Sequence, residues 1–115
     1  MLKRFFHICV LVLLLNACGS REAQRLLDQA EAVINENSSE AITILDSISN
    51  DGLSRSQRMR RLLLLTNAQN KCDTVFRSDS IQKLLVNYYE SHGTANERML
   101  AHYLLGRAYQ DIHDY

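Results

Sequence analysis

Three cysteines and four histidines are the side chains best suited to nucleophilic or metal chemistry. The cysteines are Cys9, Cys18 and Cys72, and no C-x-x-C pair exists. Among the histidines, His102 and His113 share a helical stretch, but three turns separate them by roughly 16 Å. They cannot bind one metal from the same helix. No H-x-x-x-H, H-E-x-x-H, G-x-S-x-G or glycine-rich phosphate loop occurs. Covalent or acid–base catalysis needs a nucleophile beside a base, or two placed carboxylates. The acids Glu22, Asp28, Glu31, Glu36, Glu40 and Asp46 are instead scattered over polar helix faces. No catalytic residue, metal site or cofactor is expected. Arg55, Arg58, Arg60 and Arg61 form the one basic cluster, with Arg58 and Arg61 on a shared face. It reads as a solvated, partner-facing edge. Lys+Arg and Asp+Glu are balanced at 13 each, which gives no electrostatic case for nucleic acid.

One cysteine has a chemical context. Met1-Leu2-Lys3-Arg4 is a short basic start, and Phe5 to Leu15 is apolar except at His7. As a helix that run spans about 16 Å, roughly half of a hydrocarbon core of about 30 Å. It is too short to cross a membrane and has the form of a secretory signal. Leu15-Asn16-Ala17-Cys18 then resembles the lipobox of bacterial lipoprotein precursors. The resemblance implies that residues 1–17 are removed, that small Ala17 admits the peptidase, and that the Cys18 thiol takes a diacylglycerol thioether. Loss of Lys3 and Arg4 leaves the remaining chain mildly acidic. Acyl chains must therefore hold it to the membrane, at about 0.8 kcal/mol per buried CH₂. Gly19, rather than Asp, follows the lipidated position, which favours the periplasmic face of an outer membrane. With Cys9 discarded and Cys18 acylated, Cys72 has no intrachain partner. It is expected to be a passive loop thiol, with pairing between chains as the other course in an oxidising compartment.

The elements that follow are helical. There is no Pro, Gly is sparse, and 46% of residues are hydrophobic. This argues for an all-α chain and against a β-sandwich or disorder. Ala23, Leu26, Leu27, Ala30, Val33 and Ile34 recur at helical steps and predict a first helix over about 21–36. Asn37-Ser38-Ser39-Glu40 starts a second, striped by Ala41, Ile44, Leu45 and Ile48, and Asn50-Asp51-Gly52 ends it. Ser54-Arg55-Ser56-Gln57 is a capping box. The helix after it, to about Asn70, carries Met59, Leu62, Leu63, Leu64, Leu65 and Ala68 on more than one face, as expected of a helix stacked between neighbours. Asn70 to Arg77 reads as a polar loop. Ser78 or Asp79 should cap the fourth helix, with Gln82 three residues after Asp79, and Ile81, Leu84, Leu85, Tyr88 and Tyr89 as its buried stripe. His92-Gly93 should close it, with Gly in the left-handed region. Thr94-Ala95-Asn96-Glu97 is the clearest capping box. The fifth helix after it carries Met99, Leu100, Tyr103, Leu104, Ala108 and Ile112. Short links predict antiparallel neighbours. Tyr88, Tyr89, Tyr103, Tyr109 and Tyr115 are expected between helices, some of them lining a groove.

The fifth helix carries a family signal. Ala101-His102-Tyr103-Leu104-Leu105-Gly106-Arg107-Ala108-Tyr109 resembles the first helix of a tetratricopeptide repeat, in which Leu-Gly is followed by an aromatic residue three positions after the Gly. Leu105, Gly106 and Tyr109 supply those positions. Gly in a helix costs about 1 kcal/mol relative to Ala, so Gly106 is expected to admit a close helix neighbour. His113-Asp114-Tyr115 stands where the repeat has Gly-Asp/Asn-Tyr, and His113 departs from it. The order of Leu45-Asp46-Ser47-Ile48, Leu65-Thr66-x-Ala68, Tyr88-Tyr89-x-x-His92-Gly93 and Arg98-Met99-Leu100-Ala101-His102-Tyr103 resembles a group of bacterial tetratricopeptide-repeat lipoproteins. The resemblance implies antiparallel hairpins stacked as a short solenoid over residues 18–115, with the last repeat incomplete. It implies a lipid-anchored scaffold that binds a protein or peptide at the cell envelope, not an enzyme. Members are typically longer, so the alternative is the input portion of a longer envelope sensory protein. The sequence stops where a pairing helix should begin, so it reads as part of a longer protein, unless the fifth helix folds back and caps itself.

Overall fold

The computed structural model describes residues 20–113. Residues 1–19, Cys18 and Gly19 among them, and Asp114 and Tyr115 lie outside the described residues. The described chain is all-helical: α1 (20–33), α2 (Ser38–Asp46), α3 (Arg55–Lys71), α4 (Ser80–His92) and α5 (Ala95–His113). None of these is long and apolar enough to cross a membrane.

Local chemistry sets most of the boundaries. Asn37 caps α2 through its side chain, which accepts the Glu40 N–H at 3.1 Å. Capping α2 this way is incompatible with continuing α1, which therefore stops short of residue 36. α2 ends at Asp46 rather than at Asn50-Asp51-Gly52. Ser47 closes it by donating its hydroxyl to the Ile44 carbonyl at 2.6 Å. Gly52 adopts φ +77° in the connection beyond. At α3 both halves of the capping box form. The Ser54 hydroxyl accepts the Gln57 N–H, and Gln57 Oε1 accepts the Ser54 N–H, each at 3.1 Å. Thr94 and Glu97 make the same reciprocal pair at α5, at 2.9 and 3.2 Å.

α4 departs from expectation at both ends. Asp79 is its N-cap residue but makes no capping hydrogen bond, while the Ser78 hydroxyl accepts the Ser80 N–H at 3.2 Å. Its carboxylate instead holds Lys83 Nζ at 3.1 Å, and this contact raises the Lys83 pKa. Gln82, expected to complete the box, is buried. At the other end Gly93 sits at φ −102°, outside the left-handed region. Its requirement is steric. A Cβ there would lie 2.7 Å from Tyr89 Cδ1 and 2.9 Å from the Tyr89 carbonyl oxygen.

Two cores result. The first joins Ala23, Leu27, Ala30 and Ile34 to Ala41, Leu45, Ile48 and Leu53, and is closed by Leu64 and Ala68 of α3. The second joins Met59 and Leu63 of α3 to Leu85, Tyr88, Tyr89, Ala101 and Leu104. Each core holds two fully buried leucines, Leu27 with Leu45 and Leu85 with Leu104. Full burial of such a side chain contributes about 1.5–3 kcal/mol. α3 thus serves both cores, as its many-sided apolar surface predicts.

Long-range bonds fix the helix directions. Ser20 lies at Gln57 and Glu31 at Arg60, so α1 and α3 run parallel. Glu97 faces Gln57 and Arg60 across one cleft and Arg107 Nε lies 3.3 Å from Asn70 Oδ1, so α5 runs parallel to α3. Ser39 lies near Cys72 and Leu45 near Arg61, so α2 is antiparallel to α3. Glu90 meets His102, and the Phe76 N–H meets Asp111, so α4 is antiparallel to α5.

The α5 stripe differs from the expected one. Ala101, Leu104, Ala108 and Asp111 are buried, whereas Met99 and Tyr103 are 66% and 54% exposed. On α4, Ile81 and Leu84 are about half exposed, while Leu85, Tyr88 and Tyr89 are buried. The loop from Asn70 to Arg77 is not purely polar, because Phe76 is buried in it. Asp73 makes the bend at φ 61°, a conformation that Asp tolerates.

Candidate functional site

A cleft of about 160 Å³ crosses one side of the array. Gln24 of α1, Ser56 and Arg60 of α3, and Glu97 of α5 contribute its polar wall. Tyr88, Tyr89 and His92 at the end of α4 contribute its aromatic wall. The parallel course of α1, α3 and α5 is what brings residues so distant in sequence to one opening.

The aromatic wall is ordered by mutual contact. The rings of Tyr88 and Tyr89 meet edge-on, with centroids 5.0 Å apart at 88°. His92 stacks on Tyr88 at 4.5 Å and 4°. The same turn of α4 orients its imidazole, whose Nδ1 lies 3.0 Å from the Tyr88 carbonyl oxygen and 2.9 Å from Ser91 Oγ. Arg55 places its guanidinium carbon 5.5 Å from the Tyr88 ring centroid, within cation–π range. Burial, reinforced by the nearby charge of Glu97, pushes the Tyr89 phenol well above its usual pKa. Tyr89 is therefore a neutral group at any physiological pH.

The polar wall is largely committed to structure. Gln57 Nε2 donates to the Ser20 carbonyl at 3.1 Å while its Oε1 holds the α3 cap. Arg60 bridges Asp28, at 2.8 Å, and Glu31. Burial alone would lower the Arg60 pKa, but its bonds to the two carboxylates outweigh that and raise it. Glu97 Oε1 caps α5.

The four arginines expected to form one basic edge are separated. Successive helical residues are rotated by 100°, so Arg55 reaches Tyr88, Arg60 reaches α1, and Arg61 donates to the Leu45 carbonyl at 2.9 Å. Arg58 is exposed. Cys72 is a free, exposed thiol at the end of α3, with Sγ 3.9 Å from Ser39 Oγ. His102 is bonded to Glu90 and His113 is exposed. Among the described residues no three His, Cys, Asp or Glu side chains cluster as a metal site would require.

Of the family-signature positions, Leu105 is half-buried, Gly106 is exposed and Tyr109 is 40% exposed. The close neighbour expected at Gly106 is not supplied by any described residue. A Cβ built there meets nothing within 4 Å. Cys18 lies outside the described residues.

The residues that sequence reasoning missed are Gln57 as an inter-helix strap, Gln82 and Asp111 as buried polar groups, and Phe76. Gln57 and Gln82 each stood at the third position of an expected capping box, and only the Gln57 box forms. No protein-family model, curated protein or solved structure matches the chain.

Proposed function

We propose that this chain is a lipid-anchored helical-repeat scaffold of the tetratricopeptide type, which binds a protein or peptide at the bacterial cell envelope. The observation that carries the repeat reading is the alternation of helix directions, with α1, α3 and α5 parallel and α2 and α4 antiparallel to them. A regular array of hairpins creates an extended face on one side. Here that face holds the cleft of Gln24, Arg60, Tyr88 and Glu97. Its side chains offer hydrogen bonds and ring surface, which suits recognition rather than turnover. Stacked Tyr88 and His92 give contact area at small entropic cost.

The anchor rests on Leu15-Asn16-Ala17-Cys18 after a short basic and apolar leader. Two or three acyl chains on Cys18 would give stable attachment, since one alone is marginal. The outer membrane, periplasmic face, is the location the reading favours, and no nucleic-acid partner is assigned.

Two experiments test this. Metabolic labelling with an alkynyl fatty acid should mark the wild type and leave Cys18→Ala unmarked; equal labelling removes the anchor. A photo-crosslinking residue placed at Gln24 or at Ser56 should yield the same adduct in native membranes, and none when placed at Glu40 on α2. Adducts independent of position remove the groove.

A further inference from the structure

A second opening lies at the other end of the α3–α4 hairpin, where α3 finishes and α4 begins. It has a volume of about 410 Å³. Thr66 and Gln69 of α3, Val75 and Phe76 of the loop, and Ile81 and Gln82 of α4 line it. The cleft described above uses Ser56–Arg60 and Tyr88–His92, so the two openings share no residue.

Gln82 is the unusual member. It is 2% exposed, and its Oε1 has no hydrogen-bond partner, the only buried side-chain polar atom among the described residues left so. A buried acceptor without a donor is costly, and native proteins rarely tolerate one without a reason. Thr66, equally buried beside it, is satisfied by donating to the Leu62 carbonyl at 2.7 Å. The start of α4 adds the opposite need. Asp79 makes no capping bond there and the Ser78 hydroxyl takes only the Ser80 N–H, at 3.2 Å, so the N–H groups of Ile81 and Gln82 are left without a side-chain acceptor. Val75 and Ile81, each 46% exposed, add an apolar rim.

The opening therefore asks for one donor, one acceptor and an apolar body. Phosphate suits Arg77 at the edge of the opening, but its charged oxygens would face the lone pairs of Gln82 Oε1 and leave Val75, Phe76 and Ile81 uncovered. A hydrocarbon would leave both polar needs unmet. A peptide unit carries one N–H and one C=O, with an apolar side chain beside them. We propose that this cavity is a second recognition site, which takes a peptide segment. Its backbone N–H is donated to Gln82 Oε1, its carbonyl meets the first turn of α4, and its apolar side chain packs on Val75, Phe76 and Ile81.

The test titrates the ¹⁵N-labelled full chain in dodecyl maltoside with N-acetyl-leucine methylamide. A parallel titration uses N-acetyl-leucine methyl ester, which has nearly the same shape with one N–H replaced by oxygen. The amide should shift the resonances of Thr66, Gln69, Phe76 and the Gln82 side chain, and the ester should bind about fivefold more weakly or worse. Gln82→Leu should melt at a higher temperature than the wild type and bind the two probes alike. Equal affinity of the wild type for amide and ester would overturn the proposal. So would shifts confined to Arg60, Tyr88 and His92, or no shifts at all.

Discussion

Gln57 reaches back 37 residues to Ser20, its Nε2 3.1 Å from the Ser20 carbonyl oxygen, while its Oε1 holds the Ser54 N–H of its own helix cap. One amide thus begins α3 and fastens it to α1. Gln57→Ala should remove both bonds and cost about 2 kcal/mol, whereas Ser54→Ala, which removes only the cap, should cost about 1 kcal/mol. Urea denaturation of the two variants measures the difference. Equal losses would show that the strap to Ser20 contributes nothing.

The two helix-associated glycines should respond oppositely to alanine. At Gly93 the new methyl would strike Tyr89 at 2.7 and 2.9 Å, including backbone, and Gly93→Ala should destabilise by about 1–3 kcal/mol. At Gly106 nothing lies within 4 Å, so Gly106→Ala should stabilise the chain by up to about 1 kcal/mol through helix propensity. Thermal melts in parallel decide. A loss at Gly106→Ala would reveal a neighbour packed on that face.

Asp111 is buried and accepts the Phe76 N–H at 2.9 Å and a bond from Arg107 at 3.3 Å. Asp111→Ala leaves the Phe76 donor without a partner in a buried site and should cost about 1–3 kcal/mol. Hydrogen exchange at the Phe76 amide should accelerate more than at Leu27 in the far core.

Alkaline pH should weaken the fold through Tyr89. Its folded pKa is raised above the ordinary value of 10.0 because burial disfavours the phenolate. Above that value the unfolded chain releases the Tyr89 proton while the folded chain keeps it, so stability falls as pH rises. Below it the contribution is fully present. Tyr89→Phe lacks this term. The stability of the wild type relative to Tyr89→Phe should therefore be constant near pH 8 and decline toward about pH 11. A pH-independent difference would contradict the burial of the phenol.

What could be read from the sequence was what neighbouring residues decide among themselves. The boxes Ser54–Gln57 and Thr94–Glu97 are local, and both form. The two-sided burial of α3 was visible in its run of leucines. What could not be read was the choice among faces that are all partly apolar. α5 carries Met99 and Tyr103 on one side and Ala101, Leu104 and Ala108 on another, and periodicity alone does not say which side meets α4. Small alanines let helices approach, and that side became the core. The same limit applies to the arginines, whose adjacency in sequence became divergence in space. Gln82 and Asp111 gave no sign of burial, because each answers to a partner or a cavity built by a distant segment. The cleft itself was foreseen only as a groove with tyrosines, since its walls come from four helices.

Leu63 and Leu64 are consecutive residues clamped into different cores. A stiff helix gripped on both flanks cannot yield on one and stay still on the other. A change in the packing of Leu64 and Ala68 in the first core therefore acts on the same helix that presents Met59 and Leu63 to the second. The two halves share one spine, so they should melt as a single cooperative unit and not as separable hairpins.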